Sequence, residues 1–481
     1  MAHDSSQGGG ELERGLSAPA ALGLNIIDMV GVGPFVTLPL IVMVMGGPQA
    51  ILGWMLGAVL SFCDGLTCSE LGTAYPEAGG SYVYLRKLYG ENGLGRALSF
   101  LYAWQLLFSA PLSIASGCIG FAQYLSYFFP HSGERIVSLT FLTVPIILSG
   151  QTLIAMALCC TAVAVLYRRV RTIDRVVRSL GVAVIGALVL IIVTGLTHFH
   201  PNLAFDFPPG AFHLDGAFFA GLGAGMLISA YDYWGYYNVC FMAAEVRNPR
   251  KTIPFAVLGS VTLAGVLYIG MHISVLGVIP WREMASSMGG ETRMYIMAVF
   301  MQRAYGSGVL GHTAATGIVM LVALTAGSSV LALLLGYSRI PYAAAHSGNF
   351  PAVFGRVHPK YHIPHISLLT LAGVTLVCCL FRLQEVITTL VVVRIMFQFL
   401  LQGLGALLPR HREARKRGGF KMPLYPLPVL IALSGFLFIL LSRPNFLREM
   451  RTAGVILVAG AVVYGVRLWR GRGGVSPSPS I

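Results

Sequence analysis

Between residues 20 and 470 the chain runs apolar twelve times, each run close to or above the ~20 residues a helix needs to cross a bilayer core. The runs fall at roughly 20–45, 50–72, 95–128, 139–166, 177–198, 216–246, 253–279, 308–337, 364–382, 386–408, 426–442 and 452–469. A soluble chain carries about 25% charged residues. Here only 11% of 481 residues are charged and 56% are hydrophobic. Short alternating segments, the mark of a membrane β-barrel, are not the pattern. The expectation is an all-α polytopic membrane protein with 12 transmembrane helices.

The net charge of +14 raises the question of nucleic acid, and the distribution of charge answers it. With the N-terminus in the cytoplasm, the inward segments hold 24 Lys and Arg and the outward segments eight. The positive-inside rule therefore places both termini in the cytoplasm, in a cell membrane. The basic clusters YRRVRTIDRVVR (167–178) and PRHREARKRGGFK (409–421) read as topology determinants facing lipid headgroups, with no nucleic-acid partner. Residues 1–19 and 471–481 are polar and read as disordered cytoplasmic tails. The eight cysteines lack metal-ligand spacing, and HExxH and GxSxG are both missing. No enzyme, cofactor or metal is expected.

Two runs are interrupted. In NIIDMVGVGPFVTLP (25–39), Asp28, Gly31, Gly33 and Pro34 fall within seven residues. In GLGAGMLISAYDYWGYYNVCFMAAEVRNP (221–249), Asp232 sits among Tyr231, Tyr233 and Trp234, with Gly235 following. Five spans separate the two interruptions, and an odd number inverts the second copy. That is the pattern of inverted repeats whose broken helices meet at mid-membrane. The repeats would be 20–198 and 216–408, with two more helices over 426–470. A broken helix frees backbone amides for an anionic group and carbonyls for an ammonium. Lipid can satisfy neither, so such backbone must face protein or a cavity.

At this point the chain resembles the amino acid–polyamine–organocation (APC) superfamily of permeases. GVGPFVTLP resembles that family's G-x-G-I-F pattern, with Pro34 where an aliphatic residue is usual. SELGTAYPEAGGSYVYLRKLYG (69–90), AAEVRNPRKTIP (243–254) and YSRIPYAAAHSGNFPAVFGRVHPKYHIP (337–364) follow in the family's order. The resemblance implies a LeuT-type 5+5 inverted repeat plus two C-terminal helices. It also implies alternating access for amino acids or related organocations, coupled to protons or by exchange. A polyamine transporter is the alternative within transport, and a non-transporting amino-acid sensor is the alternative outside it.

By that resemblance Gly31, Val32 and Gly33 hold the substrate carboxylate, and Tyr231 to Gly235 receive its amino group, with Tyr231 or Trp234 as an aromatic lid. The roles of Asp28 and Asp232 stay open between reading a substrate cation, carrying a proton and capping broken helix ends, since a carboxylate at mid-membrane is costly. Arg394, Gln398 and Gln402 step by four along one face, and Arg394 either pairs with a buried acid or serves as interhelical hydrogen-bond glue. Glu70 and Glu245 are expected as gate contacts. Ser328 and Ser329, with Thr325, are candidate oxygens for a coupling ion. Gly53, Gly57 and Ser61 read as a close-packing stripe.

Overall fold

The computed structural model describes residues 12–141, 144–286, 295–380, 392, 394–416, 419–443 and 445–472. The first apolar run is two helices, α1 (Ala18–Met29) and α2 (Gly33–Met45), meeting at 47°. Then come α3 (Ile51–Ala74), α4 (Ser81–Tyr89), α5 (Leu94–Leu125), α6 (Gly150–Leu166), α7 (Val170–Thr197), α8 (Pro201–Ala204), α9 (Gly216–Tyr233) and α10 (Asn238–Phe241). They are followed by α11 (Pro249–Leu276), α12 (Trp281–Ser286), α13 (Ile296–Tyr305), α14 (Val309–Tyr337), α15 (Arg339–His346) and α16 (His365–Cys378). A π-helical stretch, Ile395–Leu401, runs into α17 (Gln402–Ala406), before α18 (Pro409–Lys416), α19 (Leu427–Leu441) and α20 (Phe446–Arg472).

Among the described residues six helices, α3, α5, α7, α11, α14 and α20, are long and apolar enough to cross a membrane, and the bent pair α1–α2 makes a seventh candidate. Shorter apolar helices lie at α6, α16, Ile395–Ala406 and α19. The surface supports the membrane reading. Val182, Val266, Val309 and Leu310 are exposed, while Asn25, Asp64, Gln105, Gln398 and Gln402 are buried. In water such an outer face would be an association hazard; against lipid it is the stable arrangement.

The run expected at 139–166 starts as a hairpin instead. Strands β1 (Arg135–Phe141) and β2 (Val144–Ser149) pair antiparallel, and helix begins only at Gly150, behind a Ser149–Thr152 capping box. Ile, Val and Thr crowd this stretch and Pro145 breaks it, which favours strand over helix. Of the run expected at 386–408, residues 386–391 and 393 lie outside the described residues.

Two contacts position the site. α3 lies against α9 along the small-residue stripe: a Cβ at Gly53 would come within 3.2 Å of the Gly225 backbone, and Ser229 donates to the Gly53 carbonyl at 2.7 Å. α1 packs between α7 and α11, while α2 packs on α9, so the two interrupted segments cross.

Residues 12–17, expected as part of a tail, are held in place. The Gly15 and Leu16 amides donate to the Glu245 carbonyl at 2.9 and 3.0 Å, and Arg247 N returns a bond to Leu16 O. Ser17 donates through N and Oγ to Asp174 Oδ1, and Glu13 pairs with Arg171. The buried Leu16 side chain supplies the apolar reason for docking. Of the C-terminal tail, Arg472 ends α20, and 473–481 lie outside the described residues.

Candidate functional site

The two breaks have different local causes. α1 stops at Met29, and α2 restarts with Pro34 in its first turn, where a missing amide hydrogen costs nothing. α9 stops at Tyr233. Trp234 is extended and Gly235 takes φ +127°, a conformation that Cβ-bearing residues avoid. Only the short α10 and a 3-10 turn, Ala243–Glu245, follow, so the second half of this segment is largely irregular backbone.

The two breaks meet reciprocally. Asp28, before the first break, lies against the second: Asn238 Nδ2 donates to its Oδ2 at 2.6 Å, and a Cβ on Gly235 would stand 2.9 Å from Asp28 Cβ and Cγ. Asp232, before the second break, lies against the first. Its Oδ2 accepts from Thr37 Oγ1, its Oδ1 sits over Gly33, and Oδ1 has no hydrogen-bond partner among the described residues. Each carboxylate thus crosses to the other segment's interruption.

Three side chains that sequence reasoning passed over, Tyr268, Asn25 and Asn238, meet the freed backbone, together with Thr325, which it had named only as a candidate oxygen for a coupling ion. Tyr268 Oη of α11 donates to Met29 O at 2.9 Å and lies 3.3 Å from Asp232 O, so one hydroxyl serves both breaks. Asn25 of α1 donates to Tyr236 O and accepts from Val239 N at 3.0 Å. Asn238 also donates to Ala332 O, and Thr325 Oγ1 lies 3.2 Å from Gly31 O. The available signal was an amide such as Asn25 inside an apolar run, which has to find a partner because lipid offers none. Asp64 was also passed over. It is buried, accepting from Tyr236 Oη at 2.7 Å and Cys68 Sγ at 3.4 Å.

Replacing Tyr268 by Phe leaves two buried carbonyls without their donor and is expected to lower stability by about 1–3 kcal/mol. Tyr124→Phe is the control, because the buried Tyr124 hydroxyl has no partner to lose among the described residues. Unfolding both variants in mixed micelles checks this; equal stabilities would remove the bridging role.

The Tyr231 and Trp234 rings meet at a tilt of 54° with centroids 5.5 Å apart; Tyr231 stays partly exposed, while Trp234 is buried against Phe399. Of the two roles left open for Arg394, its contacts are those of hydrogen-bond glue between helices. Among the described residues it forms no ion pair. It donates to Tyr337 Oη and, at 3.2 Å, to Gln398 Oε1, with its guanidinium 5.2 Å from the Trp234 and Tyr337 ring centres. The pocket around it is aromatic, and cation–π contact replaces a carboxylate there. Gln402 leaves this group and donates to Cys68 Sγ.

Glu245 and Arg339 form a buried bidentate pair at 2.8 and 3.0 Å, beside the docked residues Gly15 and Leu16. Glu70 meets Arg415 at 3.0 Å and His411 at 3.2 Å, and accepts from Met422 N. Ser328 and Ser329 bond back to Leu324 and Ala326 carbonyls of their own helix, Ser329 packing on Gly31. Trp104 of α5 donates to Ile456 O of α20, and Phe108 beside it is exposed.

A family model described as amino acid permease matches residues 16–463. The chain is 24% identical over 404 residues to branched-chain amino acid permease BcaP of Lactococcus lactis subsp. cremoris, covering 82% of each protein. It is 22% identical over 460 residues to serine/threonine exchanger SteT of Bacillus subtilis, covering 93% of this chain and 95% of the exchanger. To the methylthioribose transporter of Bacillus subtilis it is 23% identical over 444 residues, covering 90% and 89%.

Proposed function

The chain belongs to the amino acid permease family, and from that premise we propose that it is a secondary carrier that seats a small solute where its two interrupted segments cross. The single observation that carries this reading is the reciprocal seating of Asp28 on Gly235 and Asn238 and of Asp232 on Gly33 and Thr37. Irregular backbone at mid-membrane is tolerated where it lines a cavity or is buried in protein. Here it comes with two acids, two partly formed helix ends and an aromatic pair. Asp28, Gly31, Val32, Gly33, Tyr231, Asp232, Trp234 and Gly235 form the wall of the site in this reading.

The finer architecture belongs to the proposal. Twelve spans arise by adding α6, α9, α16, Ile395–Ala406 and α19 to the seven candidates. They are arranged as a LeuT-type 5+5 inverted repeat plus two C-terminal helices, with both termini in the cytoplasm. The Glu245–Arg339 and Glu70–Arg415–His411 groups then close the cytoplasmic side, with the 13–17 strap across it. Arg394 holds the aromatic wall, and Ser328 and Ser329 support Gly31. Relatives named for branched-chain amino acids, for serine and threonine, and for methylthioribose show that membership alone does not fix the solute.

Purified protein in vesicles preloaded with a mixture of unlabelled leucine, serine and arginine tests the reading. Counterflow of at least one labelled member is expected, and Gly33→Val, which pushes against Asp232, abolishes it. Folded protein with no counterflow of any of these or of putrescine would remove the carrier in favour of a sensor.

A further inference from the structure

Away from the crossing, a cleft opens on the outer face of the bundle between α5 and α16, beside the joint of α14 and α15. It measures about 470 Å³ counted to its open mouth. Leu106 and Pro111 of α5, Ile340 of α15, Phe350, and Leu371 and Val374 of α16 line it. The polar groups in its wall are occupied within the protein. Ser367 donates to Phe354 O at 3.0 Å, and the Tyr337 hydroxyl accepts from Arg394. Thr370 and Val374, four residues apart on α16, are exposed and mark the mouth. Water finds too few polar partners in such a cleft to stay, and an empty one forfeits the dispersion contacts of its lining. Within a bilayer the medium at the mouth is hydrocarbon, so the fitting occupant is an acyl chain.

One end of the cleft is cationic. The Phe350 ring in its wall lies 6.3 Å from that of Phe100 of α5, and Phe100 lies 5.0 Å from Tyr464 of α20. About one turn further toward the ends of these two helices stand Arg96 and Arg467. They converge on the residues just before Phe350: Arg96 Nε donates to Asn349 Oδ1 at 3.1 Å, and Arg467 donates to Gly348 O. Both partners are neutral, and neither arginine meets a carboxylate among the described residues. A guanidinium has five N–H donors, and these bonds use one from each. From Arg96 to Pro111 the helix rises about 22 Å at 1.5 Å per residue. That matches one leaflet with its headgroups, about 20–22 Å deep.

We infer that this cleft binds an anionic phospholipid, with one acyl chain between α5 and α16 and the phosphate between Arg96 and Arg467. The inference rests on the membrane-spanning fold and not on which solute is carried. Arginine forks match phosphate oxygens, and basic pockets between transmembrane helices take anionic headgroups. A free phosphate would meet the same two arginines and leave the cleft empty, so the lipid is the occupant that fits both features. Its chain lies against Tyr337 and Ile340 at the α14–α15 joint. Tyr337 carries Arg394 on its hydroxyl, and Arg339, between the two, pairs with Glu245. Occupancy therefore braces the aromatic wall and the Glu245–Arg339 pair from the lipid side.

Native mass spectrometry of the purified, delipidated full-length protein tests this, with phosphatidylglycerol and phosphatidylcholine of identical chains added in turn. One phosphatidylglycerol is expected to be retained about fivefold or more tightly than phosphatidylcholine, the factor that one arginine near a headgroup contributes. Thr370→Trp, which fills the mouth from an exposed position, lowers retention of both lipids, and Arg467→Gln lowers that of phosphatidylglycerol alone. Thermal unfolding establishes that the variants are folded. Photolabelling of the wild type with phosphatidylglycerol carrying a diazirine on its acyl chain needs no variant, and adducts are expected within 103–111 or 367–374. Equal retention of the two lipids by the wild type would overturn the inference, as would adducts confined to other segments. Displacement of the lipid by glycerol phosphate at equal concentration would reduce the site to one for free phosphate and overturn it as well. So would unchanged retention in folded Thr370→Trp. No readout involves solute counterflow, so failure here leaves the carrier standing, and failure of counterflow leaves the lipid site.

Discussion

Glu245→Ala is expected to destabilise the protein by about 3–5 kcal/mol, the usual result of stripping one partner from a buried ion pair. Arg339 is 1% exposed and makes both of its short carboxylate bonds to this one residue. Its remaining partners, Leu335 O and Ser338 Oγ, are neutral and leave the guanidinium charge uncompensated. Glu245→Gln keeps the shape and loses the charge, so it should fall between wild type and Ala. The same residue's carbonyl receives the Gly15 and Leu16 amides, so its displacement also loosens the strap. Denaturant unfolding in micelles measures the first effect, and thiol labelling of a cysteine introduced at Leu16 measures the second. A loss within the ±0.5 kcal/mol of an ordinary surface substitution would mean that the pair is not the closure it looks like.

The second large effect is expected at Gly235. An alanine there must hold φ +127°, which costs of order 1–3 kcal/mol. It must also place a methyl group 2.9 Å from Asp28 Cβ and Cγ and from the Met29 amide. Neither helix end can yield without moving the other, so solute uptake should fall by more than about tenfold, the factor that 1.4 kcal/mol represents. Gly210→Ala separates the two contributions. Gly210 has φ +80° but nothing within 4 Å of an added Cβ, so that variant is strained without displacing anything. Wild-type uptake in Gly210→Ala with loss in Gly235→Ala is the expected outcome. Equal uptake in both would put the second break outside the transport path.

The two breaks were legible in the sequence because breaking a membrane helix takes a small vocabulary. Glycine, proline and an acid within a few residues have few other uses in an apolar run; the first interruption carries all three, and the second carries the acid and the glycine. The way the acids cross was not legible, since it depends on which helix faces which. The partners of the freed backbone were hidden for another reason: Tyr268, Asn25 and Thr325 are commonplace side chains whose meaning lies in the direction they point. Arg394 shows how spacing can mislead. Steps of four align on an α-helix, but the chain at Ile395–Leu401 is π-helical, and the wider turn sends Gln398 and Gln402 to different neighbours. Residues 139–149 were expected as helix because hydrophobicity was weighed without the β-branched bias that accompanied it.

Tyr268 has a single hydrogen to give and two carbonyls within reach, Met29 O and Asp232 O. When the two broken segments are close, that hydrogen lies between them at little loss. When they separate, it can follow only one. The hydroxyl is then an arbiter: the segment that keeps it retains a satisfied end, and the other must find its donor in water or in the solute itself. In the carrier proposed above, the carbonyl that Tyr268 releases as the segments part is the one left open to the solute.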